Sequence, residues 1–383
     1  GDVYKRQEDG GGAADGGQPA LEPPPDALWK ADLAQPVVGG VPLPVNGMLV
    51  MATGTTTTGI FQQDGKHLRD FQGFSHVWRV ATDGKALYAV RKPDAADKAL
   101  TVVPLSLETG KEQAPLVQLP AYDGTNALNQ ILGVTGDTVF LCAKAAGSDQ
   151  WSVVAASLKT GKELWRQSTA APTQQQVELG RPSPVHVKAV RGGVLLWHRG
   201  ETGDASRVSL HDAGSGAARW AVSLDGSAAT PEPLVTDDDR VYIGAEKVRA
   251  LRLTDGESAW TFGANRDAGE VGAQRRYGMP TVRDGIVYAV EGTLGIVAIS
   301  ASYGTLQWMD ILPEGTKPNR DIAPVVTPSH IYSLGAAGLR AVRIRTQAPV
   351  WQYKTGAYAL TPDPDGKRLY LREEKKLIAL PLP

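Results

Sequence analysis

The chain sets 40 Lys and Arg against 41 Asp and Glu over 383 residues, a net charge of -1. That balance supplies no basic field able to hold nucleic acid or an anionic membrane surface. A hydrophobic content of 42% is ample for a packed core, and the single cysteine, Cys142, excludes an intramolecular disulfide without fixing the compartment.

From the N-terminus, GDVYKRQ (1–7) resembles a translated sequencing adapter, so the natural start is expected elsewhere and the absence of a targeting segment says nothing about location. Residues 8–25, EDGGGAADGGQPALEPPP, are rich in Gly and Pro, lack an apolar period, and predict a disordered tether to something upstream. The longest uncharged run, residues 33–63, is broken by Pro36, Pro42 and Pro44 and by a threonine tract, which argues against membrane insertion of this segment.

Eight short apolar strands then recur: GMLVMA (47–52), KALYAV (85–90), DTVFLC (137–142), GVLLWH (193–198), DRVYIG (239–244), GIVYAV (285–290), SHIYSL (329–334) and KRLYLR (367–372). They are spaced by 38 to 56 residues, about 46 on average, a period typical of propeller blades. Before them stand turns such as Asn46-Gly47, Asp83-Gly84, Asp284-Gly285 and Asp365-Gly366, pairs that accept positive φ in tight hairpins. After them come a third strand, a second turn and a fourth strand, best seen in LKTGKELWRQ (158–167). The late tryptophan, Trp165, recurs as Trp220, Trp260, Trp308 and Trp351, where a large ring fills the wedge between twisted sheets. The C-terminus ends one strand short of a blade, and DALWKADL (26–33) supplies a strand of the missing kind. The sequence therefore predicts an all-β fold, one propeller domain over residues 26–383, closed by pairing of its termini, with eight four-stranded antiparallel blades (seven as the alternative).

A Val-Tyr strand after an Asp-Gly turn, an Ala-Leu strand, then Thr-Gly-x-x-x-Trp resembles the pyrroloquinoline-quinone-like (PQQ-like) propeller repeat. The likeness runs over residues 26–383, is strongest at 151–165 and 238–260, and is weakest at blade one, which lacks the tryptophan. It implies one of three roles: a quinone-dependent dehydrogenase, an outer-membrane assembly scaffold lipoprotein, or a secreted or kinase-tethered actinobacterial propeller. The composition and the Gly/Pro tether resemble the last most. A transmembrane helix upstream and an extracytoplasmic location are what that likeness implies.

The chemistry of a quinone enzyme needs a calcium held by oxygen ligands, an aspartate base and a stacking slot. Asp83, Asp255, Asp284 and Asp365 each precede a glycine and are accounted for by hairpins. The six histidines show no zinc spacing, and DAGSGAA (212–218) reads as a turn rather than a nucleophile elbow. No catalytic residue, metal site or cofactor is therefore expected, with PQQ and calcium as the alternative. Binding is expected instead on the long connections between blades, where Arg275, Arg276 and Tyr277 of one face Lys317, Asn319, Arg320 and Asp321 of the next, an arginine-rich mouth for an anionic group. The occupant is an unidentified small molecule or protein.

Overall fold

The computed structural model describes residues 20–33, 41–54, 57–71, 80–91, 97–172, 184–199, 205–225, 234–263, 277–313 and 315–383. Its hairpins form where the turn residues accept a left-handed backbone. Asn46 and Gly47 sit at φ 44° and 74°, and Asp284 and Gly285 at 50° and 74°, the double positive φ that matches the twist of the flanking strands. Each of the eight repeated strands is the second strand of a blade.

The 32 strands among the described residues fall into eight four-stranded antiparallel sheets. In seven of them the strands follow chain order, as in Gln130–Thr135, Thr138–Lys144, Trp151–Ser157 and Glu163–Thr169 of blade three. The eighth is closed by the N-terminus: Trp29–Asp32 pairs antiparallel with Lys376–Pro381, Trp29 opposite Ala379. Eight blades, not seven, stand in a ring whose innermost strands neighbour one another.

The core lies between blades. One cluster joins Tyr242, Ala250 and Trp260 of blade five to Val287, Ala289, Val297 and Ile299 of blade six. The repeated phrase explains itself at these junctions, because its tryptophan and its glycine belong to adjacent blades. Trp165, Trp220 and Trp260 lie over the turn glycines Gly216, Gly256 and Gly304 of the following blade, where a Cβ would fall within 2.7 Å of the indole. Each indole Nε1 also donates to a carbonyl of that next blade: Ala213, Leu253 and Ala301, at 2.8, 2.9 and 2.7 Å. Trp29 repeats the device across the closure, over Gly65 and donating to Gln63 O at 2.7 Å. Blade one carries Arg69 at the tryptophan's position, its aliphatic stem against Gly110.

The antiparallel order gives the ring two faces. The turns between first and second strands, and between third and fourth, lie on one face. Hairpins joining second to third strands share the other face with the connections between blades. Residues 1–19, which include most of the expected tether, lie outside the described residues. Residues 20–28 form no strand but run along blade seven: Glu22 N–H donates to Val350 O at 2.7 Å, and Ala27 packs on that blade's core.

Candidate functional site

The connection face carries the segments in which the mouth residues were expected. Entering blade six, the backbone at residues 277–279 is pinned on both sides: Tyr277 N–H donates to Ala245 O (2.6 Å) and Gly278 N–H to Val290 O (2.9 Å). Entering blade seven, Asn319 N–H donates to Leu334 O (2.9 Å) and Ala336 N–H to Lys317 O (2.9 Å). The two connections meet. A Cβ on Gly278 would collide with the carbonyl of Arg320, and one on Gly244 with the carbonyl of Gly278, so three successive blades approach backbone to backbone here.

On this frame Lys317 and Asp321 are exposed, and Asn319 and Arg320 half-buried. Asn319 Oδ1 accepts from Asp321 N–H at 3.0 Å, a local turn that fixes the loop. The Arg320 guanidinium makes no hydrogen bond or ion pair with another described residue, so all five of its donors are available. Just inside the face, Arg340 is held by Asp310 and its charge is cancelled there. Tyr277 departs from its expected role as a mouth residue. It is 1% exposed, its ring edge-on to Phe262 at 5.9 Å, and an aromatic in a polar stretch has here gone to the core between blades five and six. Arg275 and Arg276 lie outside the described residues.

Elsewhere the polar groups resolve into structural work. Asp237 Oδ1 caps the amides of Asp239 and Arg240, while Oδ2 takes the hydroxyl of Tyr242; Asp83 does the same for Lys85, Ala86 and Tyr88. The turn reading of Asp83 holds, and the tyrosine partner five residues on is what sequence reasoning missed. A regular signal was available, since Tyr follows Asp at that spacing in blades two and five. Asp212 Oδ1 likewise accepts from Gly214 N–H, Ser215 N–H and Ser215 Oγ, so Ser215 belongs to a turn. These bonds, led by the Ser215 amide and followed by Arg219, hold the Asp212 carboxyl down to about 2.

Ser209, His211 and the Gly216 carbonyl align as nucleophile, base and orienter would: Oγ to Nε2 at 2.8 Å, Nδ1 to O at 3.0 Å. Yet Ser209 is 1% exposed and His211 lies stacked beneath Trp165 (6.5 Å, 17°), which leaves no approach for a substrate. Cys142 is fully buried, and desolvation pushes its thiol up to about 12, leaving no thiolate for chemistry at neutral pH.

With the ring and its faces defined, the family follows. A family profile described as "Outer membrane protein assembly factor BamB" matches residues 149–382, more than half of the chain. The chain belongs to the PQQ-like, BamB-type propeller family. No curated protein matches it in sequence. Among solved structures it is similar to the computationally designed Ika8 protein (TM-score 0.62, 15% identity, 92% of this chain and 98% of that one). It is also similar to BamB from Moraxella catarrhalis (0.59, 15%, 94% and 100%) and to a europium-containing methanol dehydrogenase (0.52, 13%, 90% and 84%). At these identities the likeness is one of fold.

No three His, Cys, Asp or Glu side chains converge on a possible metal position among the described residues. The indoles of Trp29, Trp165, Trp220 and Trp260, the obvious stacking groups, are held between blades by their Nε1 bonds. No helix among those residues is long and apolar enough to cross a membrane.

Proposed function

We propose that this propeller is a non-catalytic binding module of the cell envelope, placed outside the cytoplasm. It receives an anionic group of a small-molecule or protein ligand where residues 277–279 and 317–321 meet. The observation that carries this reading is Arg320: a half-buried guanidinium without a described partner, on a backbone fixed against Gly278. A planar fork of donors on a rigid frame suits bidentate recognition of carboxylate or phosphate. An envelope location is supported by the family profile, whose printed description concerns an outer-membrane assembly factor. Residues 8–19 then serve as a tether, as in the secreted and kinase-linked actinobacterial propellers that the chain resembles.

A second reading, an assembly scaffold, is favoured by the same profile match and takes the anion to be a carboxylate of a partner protein. Calorimetric titration with pyrophosphate, citrate and a poly-glutamate peptide tests both. Saturable binding by the small anions supports a small-molecule receptor, and binding by the peptide alone supports the scaffold. In either case Arg320→Ala is expected to weaken binding by about tenfold or more without loss of folding. No saturable binding, or equal affinity in the variant, removes the site; dye-linked dehydrogenase turnover with added PQQ and calcium overturns the non-catalytic reading.

A further inference from the structure

On the opposite face, a cavity of about 200 Å³ opens at the seam where the ring is closed. Its walls are the first hairpin of blade one (Pro44–Leu49), Gly84 of blade two, and Asp363, Pro364, Asp365 and Tyr370 of blade eight, with Gln63 beside them. Most of these walls are aliphatic or aromatic. Asn46, Gln63 and Asp365 are polar groups of these walls, and the most deeply set is the carboxylate of Asp363, whose side chain is 5% exposed.

The turn chemistry explains why this carboxylate faces the cavity. In blade five a single aspartate, Asp237, caps the turn amides with one oxygen and the tyrosine hydroxyl with the other. Blade eight's turn is two residues longer and divides the task. Asp365 Oδ1 caps Lys367 N–H at 2.8 Å, and Asp363 Oδ2 takes Tyr370 Oη at 2.6 Å, with Gln63 Nε2 at 3.3 Å and Arg368 Nη1 at 3.4 Å. Asp363 Oδ1 is left without a donor among the described residues. The side chain is held in place by its Oδ2 bonds and its pairing with Arg368, which leaves Oδ1 able to accept a hydrogen bond from a group in the cavity.

We infer that the seam cavity is a binding site for an organic cation, a guanidinium or ammonium on an aliphatic stem, such as a basic side chain of a partner. Asp363 Oδ1 accepts its hydrogen bond, the exposed Asn46 stands at the rim, and Pro44, Val45, Met48 and Pro364 cover the stem. The volume admits one such side chain. Blade eight and blade one both contribute walls, so occupancy binds the two together and stabilises the closed ring. This site is independent of the anion site proposed above, and its occupant carries the opposite charge.

The probe pair is L-argininamide and its uncharged isostere L-citrullinamide, followed by calorimetry and thermal unfolding. Argininamide is expected to bind saturably and raise the unfolding temperature, with citrullinamide weaker by about tenfold or more. Asp363→Asn is expected to abolish the difference between the two. Asn46→Asp adds a carboxylate at the rim without touching the Tyr370 bond, and it is expected to tighten argininamide binding several-fold. Equal binding of the two probes by the wild type overturns the proposal, as does unchanged argininamide affinity in Asn46→Asp should Asp363→Asn fail to fold. Unchanged affinity in both variants overturns it as well.

Discussion

Arg340 of blade seven and Asp310 of blade six form a two-pronged ion pair across the blade junction, Nε to Oδ2 at 2.8 Å and Nη2 to Oδ1 at 3.0 Å, with both side chains more than nine-tenths buried. Thirty residues separate them, one on the outermost strand of its blade and the other on the third strand of the next. The pair therefore fixes the angle between blades beneath the connection face.

Removing one partner leaves a buried charge alone. Asp310→Ala is expected to lower unfolding free energy by about 3–5 kcal/mol, whereas the double change Asp310→Leu with Arg340→Met is expected to recover most of it. Urea denaturation of the three proteins measures this. A double variant no more stable than Asp310→Ala would show that the pair's geometry, not charge compensation, holds the junction.

The tryptophan and glycine positions make a sharper comparison. Gly304 (φ 69°) lies under Trp260, and Gly47 (φ 74°) faces open space, so the two share a backbone cost but only one shares a steric one. Gly304→Ala is expected to cost more than Gly47→Ala, by about 1–3 kcal/mol, since the indole must leave its bond to Ala301 O to admit a methyl group. Equal losses in thermal denaturation would mean that the indole yields freely.

This lattice also shows why most of the fold was legible in the sequence and much of the site was not. Tryptophan, Asp-Gly and Val-Tyr recur because each junction poses the same steric problem, and a repeated problem leaves a repeated mark. Where another residue solves it, as Arg69 does in blade one, the mark vanishes although the blade remains. The contact of Arg320 with Gly278, the burial of Tyr277 and the pairing of Asp310 with Arg340 each occur once, between segments with no common local pattern. Composition could mark Arg320 and Tyr277 alike as mouth residues, and only packing tells a buried ring from an accessible guanidinium.

Tyrosine hydroxyls offer a matched pair of opposite sign. Tyr242 donates to Asp237, but blade seven has Thr327 at the equivalent position, where it closes its own turn with His330, and the buried Tyr332 Oη has no hydrogen-bond partner among the described residues. Burial pushes Tyr332 up to about 12. Tyr242→Phe is expected to destabilise by about 1–2 kcal/mol because it strands a carboxylate, while Tyr332→Phe is expected to be neutral or stabilising. Equal destabilisation would show that Tyr332 has a solvent partner in the folded state.

Acid sensitivity should come from blade four. Burial, reinforced by Arg207 and then His211, brings His198 down from 6.5 to about 4; His211 is lowered by its own burial and Arg207, against the opposing bond to Gly216 O. Thr169 Oγ1, at 3.5 Å from His198 Nδ1, brings no charge to offset this. Both imidazoles bind a proton more readily in the unfolded chain, so between pH 6.5 and about 4 the unfolded state holds more protons and stability falls as the pH falls. Their contribution is complete above pH 6.5, and for His198 it amounts to roughly 3 kcal/mol. Carboxylates such as Asp212, held near 2, add to the loss only at lower pH. Unfolding temperature measured from pH 8 to pH 4 should therefore begin to drop near neutrality. His198→Gln, which cannot titrate, should flatten that drop, and an unchanged profile would place the acid-labile groups outside blade four.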